Sequence, residues 1–380
     1  MTAAAKAMCP DADEDARFMA SALALGRRGL GNVWPNPAVG ALIVRYGAEG
    51  PLVVGRGWTQ PGGRPHAEIE ALARAGILAR GATLYVTLEP CSHHGKSPPC
   101  ADAIIAAGVS TVVSAMEDPN PEVAGRGHAR LKAAGVAVRI GTGAAEAART
   151  HVGHIRRMRD GRPAITLKLA ISTDGKAGLR GRRPAAITGE RARDRVHRLR
   201  AMHDAIAVGI GTVLADDPLL TCRLPGMIGR SPIRVVFDSS LRLPLESRLV
   251  ASAKETPVWV LAAPSAAWDR KEALRARGLE VLDVDVSAPG RLDLRAALRL
   301  LAERGITRVL LEGGPILAAA MIAADVVDEV ALFEGRMQIG PDGIDALEGM
   351  PTSALKNSPR FKSAGEESVG ADRLQHFVRA

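Results

Sequence analysis

The first 160 residues alternate between stretches with helical spacing of apolar side chains and short apolar runs. Apolar positions recur at helical spacing over residues 13–28, whereas 38–45 and 52–57 are apolar runs joined by a glycine-containing turn, typical of paired strands. The same pattern predicts helices at 67–80, 101–108, 127–134 and 143–159, and strands at 83–88, 111–115 and 136–140. This alternation predicts a largely parallel sheet with helices on its faces.

The alternation resumes at residue 164 and continues over most of the second half. Strands are predicted at 164–171, 205–208, 233–237, 258–262, 308–311 and 329–333, and helices at 190–202, 268–277, 292–304 and after Gly314. Residues 175–184 are rich in Gly and Arg and predict a loop. The tail from residue 351 is polar and loosely patterned, with 374–378 as a candidate terminal strand. The whole chain therefore has an α/β pattern.

A boundary between two domains is predicted at a basic stretch in the middle of the chain. Arg156, Arg157 and Arg159 are followed by Gly161 and Pro163, a composition typical of a helix end and a short linker. The chain has 380 residues, which suits two domains of ordinary size, about 100–200 residues each. We therefore predict domains at 1–160 and 161–380.

The net charge of +9 comes from 50 Lys+Arg against 41 Asp+Glu. Such an excess reflects either an arginine-rich composition or an anionic partner, which can be a nucleic acid or a phosphorylated small molecule. The five Phe, four Trp and two Tyr are scattered singly. Since single-strand binders stack bases on aromatic side chains, this content argues against nucleic acid and favours small phosphorylated ligands.

The four cysteines are too few for a disulfide scaffold. The N-terminal residues lack the apolar segment of a signal peptide, and no apolar run reaches the roughly 20 residues needed to cross a bilayer. We therefore expect a cytoplasmic protein with reduced thiols and no membrane partner. Cysteines in that setting are more often metal ligands or catalytic groups than disulfide partners.

Two short segments carry the clearest chemistry. Glu68 follows two residues after His66, and the string PCSHHGKSPPC occupies residues 90–100. One imidazole and two thiolates provide three ligands, which leaves the fourth tetrahedral position of a zinc ion open for water. Catalytic zinc lowers the pKa of its water to about 7, and a carboxylate that is not a ligand must then move protons. Glu68, at the start of a predicted helix, suits that role.

A closed structural zinc site is the alternative interpretation of the same residues. Its fourth ligand would be His93 or His94, and Glu68 would then have no role. The remaining cysteines, Cys9 and Cys222, have no metal-binding partners at a usable spacing, so we interpret both as ordinary thiols.

The spacing His-x-Glu with a later Pro-Cys and Cys is typical of zinc-dependent nucleobase deaminases, although eight residues separate the two cysteines here. The string at 90–100, with NPAVG at 36–40, DPNP at 118–121 and GRG at 125–127, resembles the deaminase half of the bifunctional riboflavin biosynthesis proteins. The resemblance implies a cytidine-deaminase-like α/β/α sandwich, and it implies substrate contact or support of the ligands for His93 and His94. It assigns the zinc ligands to His66, Cys91 and Cys100 and the proton shuttle to Glu68.

The second half resembles the reductase half of the same family. The shared strings are STDGK at 172–176, GTVLADDP at 211–218, PIRVVFDS at 232–239 and EGGP at 312–315. The resemblance implies a dihydrofolate-reductase-like α/β fold that uses NADPH. It places cofactor contacts at Ala170, Thr212, Asp216, Ser239 and residues 314–320, which begin with Gly314 and Pro315. It places substrate contacts at Arg200, Arg223 and Glu312.

The implied function consists of two steps of riboflavin synthesis. Zinc-hydroxide chemistry deaminates 2,5-diamino-6-ribosylamino-4(3H)-pyrimidinone 5′-phosphate, and NADPH then reduces the ribosyl side chain to ribityl. The family also implies a homo-oligomer that associates through the reductase domain. Two departures from the family pattern, at 184–186 and 334–340, keep open a non-catalytic reductase-like domain. A nucleic-acid deaminase with an accessory domain is a further alternative.

Overall fold

The computed structural model describes residues 12–93, 98–183 and 185–380. The chain divides into two compact units, Met1–Asp160 and Gly161–Ala380. Within the described residues, no helix is both long enough and apolar enough to span a membrane. Cys9, His94 and Pro184, which the sequence analysis singled out, lie outside the described residues.

The first unit begins with a helix and ends with two. Its helices are α1 (Ala12–Gly26), α2 (Ala67–Ala75), α3 (Cys100–Ala106), α4 (Arg126–Ala133), α5 (Ala144–Thr150) and α6 (Val152–Asp160). Its strands are β1 (Gly40–Gly47), β2 (Gly50–Trp58), β3 (Thr83–Val86), β4 (Thr111–Ser114) and β5 (Ala137–Ile140). Short 3₁₀ turns extend α1 at Arg27–Gly29 and α2 at Gly76–Ala79.

The sheet of the first unit has the order β2-β1-β3-β4-β5. Strands β3, β4 and β5 are parallel, whereas β1 is antiparallel to both of its neighbours, so the sheet is mixed and the predicted largely parallel sheet is wrong for β1 and β2. Because side chains alternate along a strand, Ile43 and Leu84 pack with α2, α3 and α4, and Leu42 and Tyr85 pack with α1 and α5 on the other face. The result is an α/β/α sandwich.

The second unit contains a longer sheet and more helices. Its strands are β6 (Ala164–Ile171), β7 (Lys176–Gly178), β8 (Ala205–Gly209), β9 (Ile233–Phe237), β10 (Val258–Ala262), β11 (Glu280–Asp283), β12 (Val286–Ala288), β13 (Arg291–Leu292), β14 (Arg308–Leu311), β15 (Glu329–Glu334), β16 (Ile344–Asp345), β17 (Phe361–Val369) and β18 (Asp372–Arg379). Its helices are α7 (Glu190–Ala201), α8 (Ile210–Asp216), α9 (Arg248–Ala251), α10 (Trp268–Ala276), α11 (Leu294–Glu303), α12 (Pro315–Ala323) and α13 (Ser353–Lys356).

The main sheet of the second unit has the order β11-β10-β9-β8-β14-β6-β15-β18-β17. Neighbouring strands are parallel from β11 to β15, and β18 and β17 complete one edge in antiparallel pairing. The central strands are buried along their length, as expected for a parallel sheet covered on both faces. The carboxyl ends of the parallel strands therefore lie along one edge, where open α/β sheets bind ligands.

Most predicted elements are confirmed, and β6, β9, β10 and β14 have the predicted bounds. The single helix predicted at 143–159 is wrong, because the chain turns at His151 and separates α5 from α6. This turn buries His151 and brings its Nε2 atom to 3.2 Å from the Thr87 carbonyl oxygen. The predicted loop at 175–184 contains β7, and the loosely patterned tail forms α13 and the β17–β18 hairpin. Pairing of β18 with β15 stabilises that hairpin.

A buried histidine makes the stability of the second unit sensitive to acid. His203 has its Nε2 atom 2.9 Å from the Thr166 hydroxyl and its Nδ1 atom 2.7 Å from the Leu199 carbonyl oxygen. Burial, helped by the charge of Arg308, lowers the pKa of His203 to about 3. Between that value and about 6.5, the unfolded chain binds a proton that the folded chain does not, so stability falls as the pH falls.

Replacing His203 by Gln should therefore weaken the pH dependence of unfolding. Between pH 7 and pH 5 we expect the natural chain to lose about 2 kcal/mol more free energy of unfolding than the variant, measured by urea denaturation. His376→Gln is a control, because His376 is half-buried at the sheet edge. Equal pH dependence in the natural chain and His203→Gln would show that His203 does not carry the effect.

Candidate active sites

Three elements of the first unit converge on one point. His66 is the residue just before α2, Cys91 follows β3, and Cys100 is the first residue of α3. The Nδ1 atom of His66 lies 3.7 Å from the Cys91 Sγ atom and 3.3 Å from the Cys100 Sγ atom. The backbone N–H of Cys100 donates a hydrogen bond to the Cys91 sulfur at 3.3 Å. The tertiary fold thus assembles the candidate ligands.

The spacing and protonation of this cluster suit zinc. Tetrahedral zinc with Zn–S near 2.3 Å and Zn–N near 2.0–2.1 Å requires donor atoms about 3.6 Å apart, close to the two distances from His66. Hydrogen bonds from Cys100 and His66 lower the pKa of Cys91 to about 4 against the effect of burial. The Cys91 sulfur and burial raise the pKa of Cys100. Zinc binding requires both sulfurs as thiolates and therefore releases the remaining thiol proton.

Among the described residues, no protein donor occupies the fourth tetrahedral position of the cluster. Within the described part of the chain, the candidate ligand set contains His66, Cys91 and Cys100 and no fourth His, Cys, Asp or Glu. The His93 side chain is exposed. This arrangement supports a catalytic rather than a closed structural site among the described residues.

Glu68 lies in the first turn of α2, two residues beyond His66, and is 4% exposed. Burial raises the pKa of its carboxyl group to about 7, although the charge of His66 acts in the opposite direction. A carboxyl group with this pKa can both accept and release a proton near neutral pH, which is the requirement for general acid–base catalysis.

Glu89 is a buried residue beside the metal-binding loop that the sequence analysis missed. One carboxylate oxygen accepts hydrogen bonds from the backbone N–H groups of Asp118 and Gly125, and the other accepts from Gly127 and His128. The four donors occupy the lone pairs of the carboxylate, so its proximity to Glu117 and His128 does not make it a metal ligand. The sequence signal was a charged residue in an otherwise apolar run just before Pro90.

Two glycines of the motif strings are required for close packing around this site. A Cβ atom on Gly127 would lie 2.0 Å from the Pro90 carbonyl oxygen, and one on Gly40 would lie 1.9 Å from the Ala22 carbonyl oxygen. The amino end of α4 therefore contacts the backbone that leads into Cys91, and β1 contacts α1 directly. These positions explain the glycines at 40 and 127 without any ligand.

Replacing Glu89 by Gln should destabilise the first unit. The amide N–H₂ group cannot accept hydrogen bonds from two backbone N–H groups that are buried against it, and we expect the free energy of unfolding to fall by about 3 kcal/mol. Urea denaturation measures this loss. Glu117→Gln, at an exposed carboxylate of the same loop, is the matched control and should leave stability nearly unchanged. Equal stability of the two variants would contradict the anchoring role of Glu89.

The second unit contains a cavity of about 1090 Å³ at the carboxyl ends of its parallel strands. Its wall includes Ala170 from β6, Gly209 from β8, Phe237 from β9 and Glu312 just after β14. The volume is at the upper limit of ordinary ligand pockets, about 300–1,000 Å³, as expected for a site that holds a dinucleotide and a substrate. The wall contains the predicted cofactor residues Ala170, Thr212, Asp216, Ser239, Gly314 and Pro315, and of the predicted range 314–320 only Ala318 is not part of it.

An ion pair connects two of the three predicted substrate residues. The Arg200 guanidinium donates two hydrogen bonds to the Glu312 carboxylate, from Nε at 2.8 Å and from Nη2 at 2.9 Å. Burial alone would raise the pKa of Glu312, but the charge of Arg200 outweighs it and lowers the pKa to about 2. Lys168, whose pKa is lowered by burial, lies beside Glu312 in the cavity wall and was not among the predicted site residues.

Arg223 is held next to this ion pair by its backbone rather than by its side chain. Arg200 donates a hydrogen bond to the Thr221 carbonyl oxygen at 3.1 Å, and the Arg223 N–H lies 3.4 Å from the His197 Nδ1 atom. The Arg223 side chain is exposed to solvent on one side. Partial desolvation by neighbouring residues, together with the nearby Arg200 charge, lowers its pKa. Arg200 lies on α7, and the loop that carries Arg223 is hydrogen-bonded to the same helix. Both arginines are therefore on the same side of the unit.

The second departure from the family pattern, at 334–340, contacts the chain at Ile187. A Cβ atom on Gly335 would lie 2.0 Å from the Ile187 carbonyl oxygen, so only glycine fits where the 334–340 segment contacts the chain just after residue 186. Asp174 accepts hydrogen bonds from the N–H groups of Ile339 and Gly340 at 3.1 and 2.7 Å. The 334–340 segment is therefore packed into the fold. Cys222 is buried and free, as expected of an ordinary thiol.

The chain is similar to known proteins over almost its full length. Residues 12–116 match the family described as the cytidine and deoxycytidylate deaminase zinc-binding region, and residues 163–372 match the RibD C-terminal domain. The riboflavin biosynthesis protein RibD of Escherichia coli K12 is 40% identical over 380 residues, which cover 97% of this chain and 100% of that protein.

Two solved structures share both the sequence and the fold. Acinetobacter baumannii RibD is 33% identical with a TM-score of 0.85, covering 97% of this chain and 100% of its own. A Thermotoga maritima protein described as a diaminohydroxyphosphoribosylaminopyrimidine deaminase/5-amino-6-(5-phosphoribosylamino)uracil reductase is 34% identical with a TM-score of 0.83, covering 97% and 99%. The chain therefore belongs to the family of bifunctional riboflavin biosynthesis proteins, which combine a zinc-dependent deaminase with an NADPH-dependent reductase.

Proposed function

We propose that residues 1–160 deaminate 2,5-diamino-6-ribosylamino-4(3H)-pyrimidinone 5′-phosphate and that residues 161–380 then reduce the ribosyl side chain of the product. The observation that carries the first assignment is the cluster of His66, Cys91 and Cys100 beside the buried Glu68. The second assignment rests on the cavity of about 1090 Å³ whose wall contains the predicted cofactor residues. The final product is 5-amino-6-ribitylaminouracil 5′-phosphate.

In the deaminase unit, His66, Cys91 and Cys100 would hold the zinc ion. Bound zinc supplies a Lewis acid that makes water a nucleophile at neutral pH. Glu68 takes the proton from the attacking water on a carboxylate oxygen and delivers it to the amino group that departs from the pyrimidine as ammonia. Its pKa of about 7 suits both halves of this transfer, because the carboxyl group is neither fully ionised nor fully protonated at neutral pH.

In the reductase unit, NADPH supplies the hydride. Thr212, Asp216, Ser239 and the start of α12 at Gly314 and Pro315 would bind and orient the cofactor. Arg200, Arg223 and Glu312 would bind the ribose phosphate of the substrate. The Arg200–Glu312 pair fixes both side chains before the substrate arrives, and such preorganisation lowers the entropy cost of orienting two ligands. No covalent nucleophile from the chain is needed.

The two alternatives are less well supported. A nucleic-acid deaminase would not need the second unit, which matches the reductase family over residues 163–372. A non-catalytic second unit would have no reason to retain a large cavity lined by Ala170, Thr212, Asp216, Ser239, Gly314 and Pro315. The packing of Gly335 against Ile187 supports accommodation of the 334–340 departure in the fold.

One coupled assay tests the proposal. The zinc-loaded protein is supplied with the diaminopyrimidine ribosylamine phosphate and NADPH, and ammonia release and NADPH absorbance are followed separately. We expect ammonia first and NADPH consumption after it. Ammonia release without NADPH consumption would support the non-catalytic second unit, and an absence of ammonia would overturn the assignment of the first.

Two finer expectations stay predictions. We propose a homo-oligomer that associates through the second unit, from the family resemblance, and a cytoplasmic location, from the sequence pattern of the N-terminal residues and the few cysteines. Light scattering of the purified chain after size exclusion tests the first, and residues 161–380 expressed alone should show the same oligomeric state if that unit forms the interface. A monomer at micromolar concentration would contradict the prediction.

A further inference from the structure

The reductase cavity is long in one direction. Its wall follows the carboxyl ends of β6, β14, β8 and β9, which are consecutive neighbours in the sheet. Three strand spacings of about 4.8 Å separate β6 from β9, so the cavity extends about 14 Å across the sheet. Lys168 and Glu312 mark the β6 end, whereas Ser239 follows β9 at the other end. An extended dinucleotide bound along the cavity has one end near Lys168 and Glu312 and the other end near Ser239.

The charges at the β9 end of the cavity wall are positive. Arg242 and Arg291 line it, and neither guanidinium has a hydrogen-bond or ion-pair partner among the residues that the structure describes. The carboxylates in the described wall are Asp216, Glu312 and Glu348, on other segments. By contrast, Arg270 and Arg234 of the same unit donate hydrogen bonds to backbone carbonyl oxygens and so stabilise the fold.

Arg242 projects from a rigid turn. Its neighbours Leu241 and Leu243 are both buried, and the Leu243 N–H donates to the buried carboxylate of Asp238 at 2.8 Å. Arg270 donates to the carbonyl oxygens of Leu241 and Leu243 at 3.0 and 2.8 Å. The backbone on both sides of Arg242 is therefore fixed, and only the Arg242 side chain remains exposed at the cavity.

Arg291 reaches the same end of the cavity from the β12–β13 hairpin. Gly290 forms the turn of this hairpin with φ of 73°, and its carbonyl oxygen accepts a hydrogen bond from the Ser239 hydroxyl at 2.9 Å. This bond ties the hairpin to the segment that carries Arg242. Arg242 and Arg291 thus line the same end of the cavity, on two segments that the Ser239–Gly290 hydrogen bond joins.

The chemistry of that end points to a phosphate group. Guanidinium binds phosphate through parallel N–H donors, and in dinucleotide sites an arginine accommodates the 2′-phosphate that distinguishes NADPH from NADH. We propose that Arg242 and Arg291 bind the 2′-phosphate of NADPH and so determine the preference of the reductase for NADPH over NADH. The inference rests on the proposed reductase function of the second unit and adds the residues that select its cofactor.

The test compares Arg242→Gln, Arg291→Gln and the double variant in the full-length protein. For each arginine removed, KM for NADPH should rise roughly 10- to 100-fold, since a hydrogen-bonded charge pair is lost, whereas kcat and the kinetics with NADH should change little. Arg299→Gln is the matched control, because Arg299 lies on the exposed side of α11 outside the cavity wall. A parallel loss with NADPH and NADH, or no change with either, would overturn the proposal.

Binding measurements separate failure of this proposal from failure of the reductase assignment. Calorimetry with adenosine 2′,5′-bisphosphate and with adenosine 5′-monophosphate reads the subsite without catalysis. The natural chain should bind the bisphosphate more tightly, and the double variant should lose that preference while it keeps the circular dichroism spectrum of the natural chain. If the natural chain binds both probes equally, the subsite is not where we place it. If it prefers the bisphosphate but oxidises no cofactor, the subsite stands and the reductase activity does not.

Discussion

Replacing Glu68 by Gln should lower the turnover number for deamination by about 10³-fold or more while zinc stays bound. The amide keeps the size of the carboxyl group, but it cannot accept a proton from water or deliver one to ammonia. Glu68 is 4% exposed and lies in the first turn of α2, two residues beyond the candidate ligand His66. Ammonia release measures the loss, and zinc content is measured by elemental analysis.

Two controls make the Glu68 result specific. NADPH consumption with the deaminated intermediate supplied directly should be unchanged, because the reductase residues belong to the other unit. Glu70→Gln is the matched control variant, since Glu70 lies on the same helix and forms a surface ion pair with Arg74. Surviving deamination in Glu68→Gln would mean that another group moves the proton. Loss of zinc from that variant would mean that Glu68 supports the ligands instead.

Replacing Glu312 by Gln should lower kcat/KM for reduction by roughly 10²-fold and also destabilise the second unit. The Arg200 guanidinium, 12% exposed, would lose the carboxylate that binds it in two places. Removing one partner of a buried ion pair costs about 3–5 kcal/mol because the other charge stays buried and uncompensated. The rate of NADPH consumption measures the first effect, and urea denaturation measures the second. Ammonia release should continue.

A double-mutant cycle separates the ion pair from the packing around it. Arg200→Met and Glu312→Gln should each cost more stability than the double variant, because the double variant contains no unpaired charge. Glu329→Gln, which breaks the Arg308 pair near the start of β15, is the control for loss of an ion pair away from the cavity and should leave kcat/KM intact. Additive losses in the double variant would show that Arg200 and Glu312 act independently.

The helices and strands that could be predicted from the sequence were those whose signal comes from residues close together in the chain. Strands β6, β9, β10 and β14 had the predicted bounds because continuous apolar runs are themselves the signal of a buried parallel strand. The break at His151 was missed because helical periodicity continues on both sides of it. Strand β18 contains the predicted terminal strand at 374–378, whereas β17 was missed because it is exposed and polar and is stabilised by pairing with β18.

The sequence by itself determined the chemistry that this chain can perform. His66, Glu68, Cys91 and Cys100 have side chains suited to zinc and proton transfer, and their order along the chain resembles one family. Only the tertiary structure decided which groups meet, since contacts such as Arg200 with Glu312 join residues more than a hundred positions apart. It also decided the buried anchoring of Glu89 and the positions of Arg242 and Arg291 in the cavity wall, because these arise from packing between distant segments, which no local pattern encodes.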